Sequence, residues 1–367
     1  MQRVRIQKTA TAGVTLAAVA VLAACSSSGS GSSSSSSSAK ASSSSSAAAT
    51  KLSGTLTGSG STFQTVYQQA AIQAFKTIQP SVTVNYGAGG SGKGRTDLAS
   101  GVVNFAGSDS PIPASEMSSF KKPVLYFPVV IGPITLAYNL SGVSNLKLDA
   151  ATIAGIFEGK ITKWNDSAIK SLNPGVTLPS TAITTAVRSD SSGTTQNFSL
   201  YLQKAAPSVW TLGSSSTIKW PSTARAGSGN PGVAQIVKST PGAIGYVDYA
   251  DAKASGLVAA QVKNKAGDYV AATPSASSID AASATIASNL TFAAADASSA
   301  AGAYPITYQS WDLVYATQPN ANDAKLLKAY IGYLIGDGQK TLGGLGYAPL
   351  PSNLDAKAVA QLSKITS

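Results

Sequence analysis

The chain has 367 residues, enough to bury a large core and, by length, to form two domains. It holds no histidine and a single cysteine, which excludes His-dependent triads, His metal sites and a disulfide framework. The formal net charge is +11, and four of the 27 basic residues lie in the first 50 positions, which carry no acid, so the remainder keeps an excess of seven. That excess favours anionic ligands or surfaces. The basic residues are scattered and without aromatic interleaving, so no nucleic-acid partner is expected.

Residues 1–24 join a basic start (Arg3, Arg5, Lys8) to an apolar stretch too short and too Ala-rich for a membrane span, and read as a signal peptide. Leu22-Ala23-Ala24-Cys25 resembles the bacterial lipobox; the resemblance implies cleavage before Cys25 and a diacyl anchor on its sulfur, the alternative being a lone buried cysteine. Residues 25–50 are, after that cysteine, almost entirely Ser, Ala and Gly and cannot bury enough apolar surface to order themselves. As a coiled tether they would hold the folded part roughly 25–30 Å from a membrane.

Residues 52–57 alternate like a strand and break at Gly58-Ser59-Gly60-Ser61-Thr62-Phe63. A helical stripe follows from Val66 to Ile78 and stops at Pro80. A second strand over 82–86 runs into a Gly-rich loop over 87–94 and a short helix near Leu98. A third strand over 102–106 runs into Gly107-Ser108-Asp109-Ser110. The Gly-rich loop nearly matches a nucleotide P-loop, but Gly94 stands where a Mg²⁺-holding Ser or Thr belongs, so only a donor-bearing turn survives of that reading. Residues 126–138 predict a strand passing from one domain to the next. Asp149 predicts the cap of a helix through Phe157, ended by Gly159, and Trp164 and Ile169 a second short helix.

A strand over 183–187 then meets Arg188, and the turn Ser191-Ser192-Gly193 opens a helix through Phe198 and Ala205. Such a turn leaves backbone N–H groups aimed at one point, which binds anions. Arg188 can pair bidentately with a tetrahedral oxyanion while Asp190 holds its fork. Taken alone, the stretch is equally an ordinary capped helix with a surface ion pair. Further on, a helix is expected over 230–238, a strand over 243–247, and a helix plus surface loop over 273–300. A second crossing strand is expected at Tyr304-Pro305-Ile306-Thr307, and helices over 326–335 and 354–365.

Several stretches occur together in order: GSGSTF at 58–63, NYGAGGSG at 85–92, FAGSDSPI at 105–112, FPVVIGPITLAYN at 127–139, FEGKITKWND at 157–166, VRSDSSGTT at 187–195, TPGAIGYVDYA at 240–250 and GYAPLP at 346–351. In these the sequence resembles the phosphate-binding proteins of bacterial ABC uptake systems, the PstS family. The resemblance implies an α/β chain of the periplasmic binding protein type II fold, two lobes joined by a two-strand hinge. Lobe I would span 51–131 and 305–367, and lobe II 132–304. It also implies a phosphate site made by Thr62, Phe63, Ser91 and Asp109 from the first lobe and Arg188, Ser192, Gly193 and Thr194 from the second, with Asp190 supporting Arg188. Lys93 departs from the family pattern and is kept off this set.

Asp109 is the odd member, since a carboxylate repels an anion unless the ligand brings a hydrogen. Phosphate does and sulfate does not, so an acceptor here would discriminate by roughly 10⁴-fold or more. Without the resemblance Asp109 reads rather as a helix N-cap. The implied role is a lipid-anchored receptor on the extracytoplasmic face of the cell membrane. It would capture inorganic phosphate for the permease and ATPase subunits of an ABC importer, without catalysis, cofactor or metal. Two alternatives are a sensor or adhesin on the same fold and a hydrolase using Ser192; the lack of histidine counts against the latter.

Overall fold

The computed structural model describes residues 51–367; the expected signal peptide, Cys25 and tether lie outside the described residues. In chain order the first part runs β1 (Gly54–Gly60), α1 (Thr65–Ile78), β2 (Val82–Ala88), α2 (Ser91–Ala99), β3 (Phe105–Ser108) and β4 (Val124–Tyr138). There follow β5 (Lys147–Leu148), α3 (Ala150–Phe157), α4 (Ser167–Leu172), β6 (Thr184–Arg188), α5 (Gly193–Ala205), β7 (Arg225–Gly227), α6 (Gly229–Ser239), β8 (Ala243–Asp248) and α7 (Tyr249–Ala254). Short strands β9 (Val258–Ala259), β10 (Gln261–Lys263) and β11 (Tyr269–Val270) lead to α8 (Pro274–Ala281), β12 (Thr307–Tyr315), α9 (Ala321–Ile335), α10 (Leu342–Leu345) and α11 (Ser352–Gln361).

The main sheet repeats one plan twice. β1 lies between β2 and β3, all parallel, and β12 closes that half antiparallel to β3. In the other half β6 lies between β7 and β8, again parallel, and β4 closes it antiparallel to β8. The halves join because β4 is long enough to serve both. Its residues up to Pro133 pair with β12, and from Ile134 onward it pairs with β8. Pro133, which has no N–H to give, sits at that change of partner. Parallel strands point their carboxyl ends one way, so each half delivers three strand-end turns to one edge, where ligands of open α/β sheets bind.

The helices are placed by apolar stripes. α1 buries Tyr67, Ala71 and Phe75 at four-residue spacing, together with the polar Gln68. α3 starts at Asp149, whose side chain accepts the Thr152 N–H, and the chain leaves it through Gly159 at φ +71°. Leu56, Phe105, Phe127, Leu136, Ile153, Phe198 and Leu327 are all buried in the apolar core.

Four expectations need correction. The third strand is Phe105–Ser108 rather than 102–106, and Val102 is exposed. Trp164 lies ahead of α4 rather than in it, buried, with its indole N–H donating to the Gly242 carbonyl at 2.9 Å. The 282–300 segment after α8 is a surface loop only in part: residues 282–289 are mostly exposed, but Leu290, Phe292, Ala294 and Ala295 are buried, the Trp311 indole donates to Leu290 O at 3.0 Å, and Ala294 N donates to Gln309 Oε1 at 2.7 Å. The second crossing strand begins at Thr307, where the expected one ended, and runs on to Tyr315.

Ser298 N–H ties this segment to α8 by donating to Asp280 Oδ1 at 2.8 Å, whereas the buried Asp280 Oδ2 has no hydrogen-bond partner among the described residues. Burial pushes the Asp280 carboxyl up to about 7, against the Ser298 N–H and helped by the Asp296 charge. The folded state therefore keeps a proton that the unfolded chain releases near pH 4, and this contribution to stability is lost as pH rises from about 4 to 7. Asp280→Asn is expected to reduce the fall of Tm across that window, measured by calorimetry; an unchanged slope would contradict the assignment.

Candidate functional site

Six turns meet at the shared edge. Those after β1, β2 and β3 carry Thr62 and Phe63, Ser91, and Asp109. Opposite them stand the turns after β6 and β7, carrying Arg188 to Thr194 and Gly229 to Asn230, and Asp248 at the end of β8. The approach is direct. A Cβ added to Gly193 would lie 2.5 Å from both Asp109 Cβ and Ser91 Oγ, and one on Gly90 2.2 Å from Asp190 Oδ2, so only glycine fits at either place. Gly92 N donates across to Ser191 O at 3.0 Å, and Asn230 Nδ2 to Thr62 Oγ1 at 3.1 Å.

Arg188 is buried, and its fork is set by Asp190: Nε donates to Oδ1 at 2.8 Å and Nη2 to Oδ2 at 2.5 Å. Asp190 also accepts the Gly229 N–H at 3.0 Å, and the Arg188 charge holds its carboxyl below the ordinary range against burial. The remaining Arg188 nitrogen, Nη1, donates to Thr194 Oγ1 at 3.3 Å. Because the pair is bidentate and sheltered, the guanidinium is oriented rather than floating.

The hydroxyls around it share one polarity. Thr62 Oγ1 accepts from Asn230 N and Nδ2; Thr194 Oγ1 accepts from Arg188 and Asn230; Ser192 Oγ caps α5 by accepting the Thr195 N–H at 3.1 Å; Ser91 Oγ accepts the Asp109 N–H at 3.1 Å. Each oxygen is already an acceptor, so the Thr62, Thr194 and Ser192 hydroxyls keep a hydrogen to give, while that of Ser91 goes to Asp109 Oδ2. The first-turn N–H groups of α5, at Gly193 and Thr194, have no acceptor within the helix. Together these form a field of donors suited to an oxyanion.

Asp109 faces that field as an acceptor. Its Oδ1 takes the hydroxyls of Ser61 at 2.5 Å and Ser310 at 2.6 Å, while Oδ2 has only the Ser91 hydroxyl at 3.3 Å. Burial pushes its carboxyl up from the ordinary value; the Ser310, Ser61 and Ser91 hydroxyls and the Arg188 charge oppose that rise. Its carbonyl accepts from Asn197 Nδ2 at 2.7 Å and Gln309 Nε2 at 3.1 Å, which pins the turn. Asp109 is thus not the N-cap of the following turn. Glu116 in that turn pairs with the buried Arg95, whose Nη1 reaches Ser108 and Ser110 on either side of Asp109 at 3.2 Å each.

The structure gathers Thr62, Ser91, Asp109, Arg188, Asp190, Ser192, Gly193 and Thr194 at one place. The Phe63 ring is buried elsewhere, stacked on Tyr308 at 3.9 Å between centroids, so only its backbone is available to the site. Lys93 points outward and pairs with Asp97 at 2.6 Å. Sequence reading missed Asn230, although Gly227-Ser228-Gly229-Asn230 is the same strand-end turn opening a helix. It also missed Asn197, one helical turn after Gly193, and Ser61 and Ser310, which carry no local signal.

Comparison with known proteins fits this geometry. The PBP superfamily domain matches residues 45–338. The phosphate-binding protein PstS 3 of Mycobacterium tuberculosis is 36% identical over 321 residues, covering 85% of this chain and 86% of the relative. The phosphate-binding protein PstS of Pasteurella multocida is 36% identical over 325 residues, 85% and 91% of the two chains. A solved phosphate-binding protein from Stenotrophomonas maltophilia superposes with a TM-score of 0.66 at 20% identity, over 84% of this chain and 93% of that one. The chain therefore belongs to the PBP superfamily and, within it, to the family of PstS phosphate-binding proteins.

Proposed function

We propose that the protein captures inorganic phosphate between its two lobes and hands it to the permease and ATPase subunits of an ABC importer, acting as a binder and not as an enzyme. One observation carries the choice of anion: a buried acceptor, Asp109, set in a field of donors. Thr62, the Phe63 N–H and Ser91 would hold the ligand from lobe I. Arg188, Ser192, Gly193 and Thr194 would hold it from lobe II, with Asp190 fixing Arg188. Asp109 Oδ2 would accept the hydrogen that phosphate retains at neutral pH. Sulfate has none to offer, and would leave the carboxylate unpaired and repelled.

The relatives' names, phosphate-binding protein PstS, support the same ligand and a binding role. So does the chemistry of Ser192, whose oxygen is occupied as a helix cap. Because ligand groups come from both lobes and β4 and β12 join them, binding would favour the closed arrangement, which a permease can read. A sensor or adhesin on this fold has no observation in its favour. We further propose that Cys25 carries a lipid that holds the protein to the outer face of the cell membrane. Its support is the lipobox-like LAAC at 22–25 and the Ser-rich segment behind it.

Titration calorimetry of the protein with phosphate tests the reading: Arg188→Ala is expected to weaken phosphate binding about 100-fold or more through loss of charge-assisted bonds. Unaltered affinity would remove Arg188 from the site. Asp109→Asn replaces an acceptor by a partial donor and is expected to bring phosphate and sulfate affinities closer by at least roughly tenfold; an undiminished gap would contradict the acceptor role. For the anchor, Cys25→Ser is expected to move the protein from the membrane fraction to the soluble fraction of expressing cells. Continued membrane retention would refute lipidation at that sulfur.

A further inference from the structure

Behind Asp109 the structure contains a fully buried chain of hydrogen-bonded side chains. Ser310 donates to Asp109 Oδ1 at 2.6 Å, and its oxygen accepts from Gln64 Nε2 at 2.7 Å. The second Gln64 Nε2 hydrogen goes to the Trp311 carbonyl at 2.9 Å. Gln64 Oε1 accepts from Gln68 Nε2 at 3.0 Å, and the other Gln68 hydrogen goes to Asp312 Oδ2 at 3.0 Å. Gln68 Oε1 accepts the Tyr330 hydroxyl at 2.7 Å. Gln64, Gln68, Ser310, Asp312 and Tyr330 are all shielded from solvent.

The Trp311 carbonyl only accepts, which fixes the Gln64 amide with Nε2 toward Ser310; Gln68 Nε2 then faces Gln64 Oε1 and reaches both Asp312 oxygens, at 3.0 and 3.3 Å, one of which accepts even though burial pushes that carboxyl up to about 7. With Gln64 donating into Ser310 Oγ, the single Ser310 hydrogen cannot turn back and must point at Asp109. We propose that Gln64, oriented by Gln68 and Asp312, is a positioning residue for anion selectivity: it commits the Ser310 hydrogen to Asp109 Oδ1 and so reserves Oδ2 to accept a hydrogen from the ligand. The proposal rests on the phosphate reading above and adds to it a part of the molecule that touches no ligand. Burial favours a proton on Asp109, and the Ser310 hydroxyl is the first of the groups opposing it. A protonated Asp109 would donate instead of accept, and sulfate would then be tolerated.

The test is competition binding of inorganic phosphate and sulfate to the parent protein, Gln64→Met, Ser310→Ala and the double variant. Gln64→Met keeps length and removes the donor, and is expected to lower the phosphate-over-sulfate affinity ratio roughly tenfold, the worth of one hydrogen bond to a charged group. In the Ser310→Ala background the same change is expected to have no further effect, because the hydroxyl it acts through is gone. Gln68→Leu, which leaves the Gln64 contacts with β12 in place, carries the test should Gln64→Met not fold, with a smaller fall in the same direction. An unchanged ratio, an equal weakening of both anions, or additive effects of Gln64→Met and Ser310→Ala would overturn the relay while leaving phosphate capture intact. A parent protein that binds no phosphate would overturn the functional reading itself.

Discussion

A carboxylate buried among hydrogen-bond donors, with a buried arginine across from it, is the constraint that the rest of this molecule serves. An isolated buried carboxylate costs several kcal/mol, and so does an isolated buried guanidinium. Each is tolerable here because its partners are fixed before any ligand arrives: Asp190 for Arg188, and Ser61, Ser310 and Ser91 for Asp109. The donors outnumber the acceptors that face them, and only an anion restores the balance. In the proposed reading Asp109 decides which anion, since it adds repulsion that a hydrogen on the ligand converts into attraction.

The fold supplies this arrangement by doing the same thing twice. A central strand flanked by two parallel neighbours and one antiparallel partner appears in both halves. In each, the central strand ends in a Ser/Thr-rich turn and a flanking strand ends in a glycine turn that opens a helix. The other flanking strand ends at an aspartate, Asp109 in one half and Asp248 in the other. The two aspartates have different employment. Asp248 caps α7 by accepting the Asp251 N–H at 2.8 Å, and its other oxygen has no partner among the described residues, whereas Asp109 Oδ2 faces the Ser91 hydroxyl at 3.3 Å. β4 links the halves by changing partner between Pro133 and Ile134.

Much of this was legible in the chain because turn chemistry is local. GSGSTF, GAGGSG, SDS and RSDSSGT announce strand ends that expose backbone N–H groups, and the structure places each at the shared edge. The turn at Gly227 to Asn230 follows the same rule but comes after a three-residue strand that leaves almost no periodic signal. The relay behind Asp109 was invisible for a different reason: Gln64 and Ser310 are 246 positions apart, and a glutamine within a helical stripe looks like a solvated residue until its partner is seen. β12 escaped for most of its length because both its faces are buried, polar and apolar residues alike, which erases the alternation that marks a half-exposed strand. The Ala/Ser-rich segment after α8 carries little hydropathy to mark a buried stretch, so nothing in its sequence separates the mostly exposed 282–289 from Leu290, Phe292, Ala294 and Ala295, which are buried.

The most direct measurement is a crystal structure of the protein grown with inorganic phosphate, read at the oxygen-to-oxygen distance between the anion and Asp109. The account predicts one phosphate oxygen within about 2.5–2.7 Å of Oδ2, the range of a hydroxyl donating to a carboxylate, with the others on Arg188 and the α5 amides. Phosphate seated away from Arg188, or bound there with Asp109 turned aside, would contradict it.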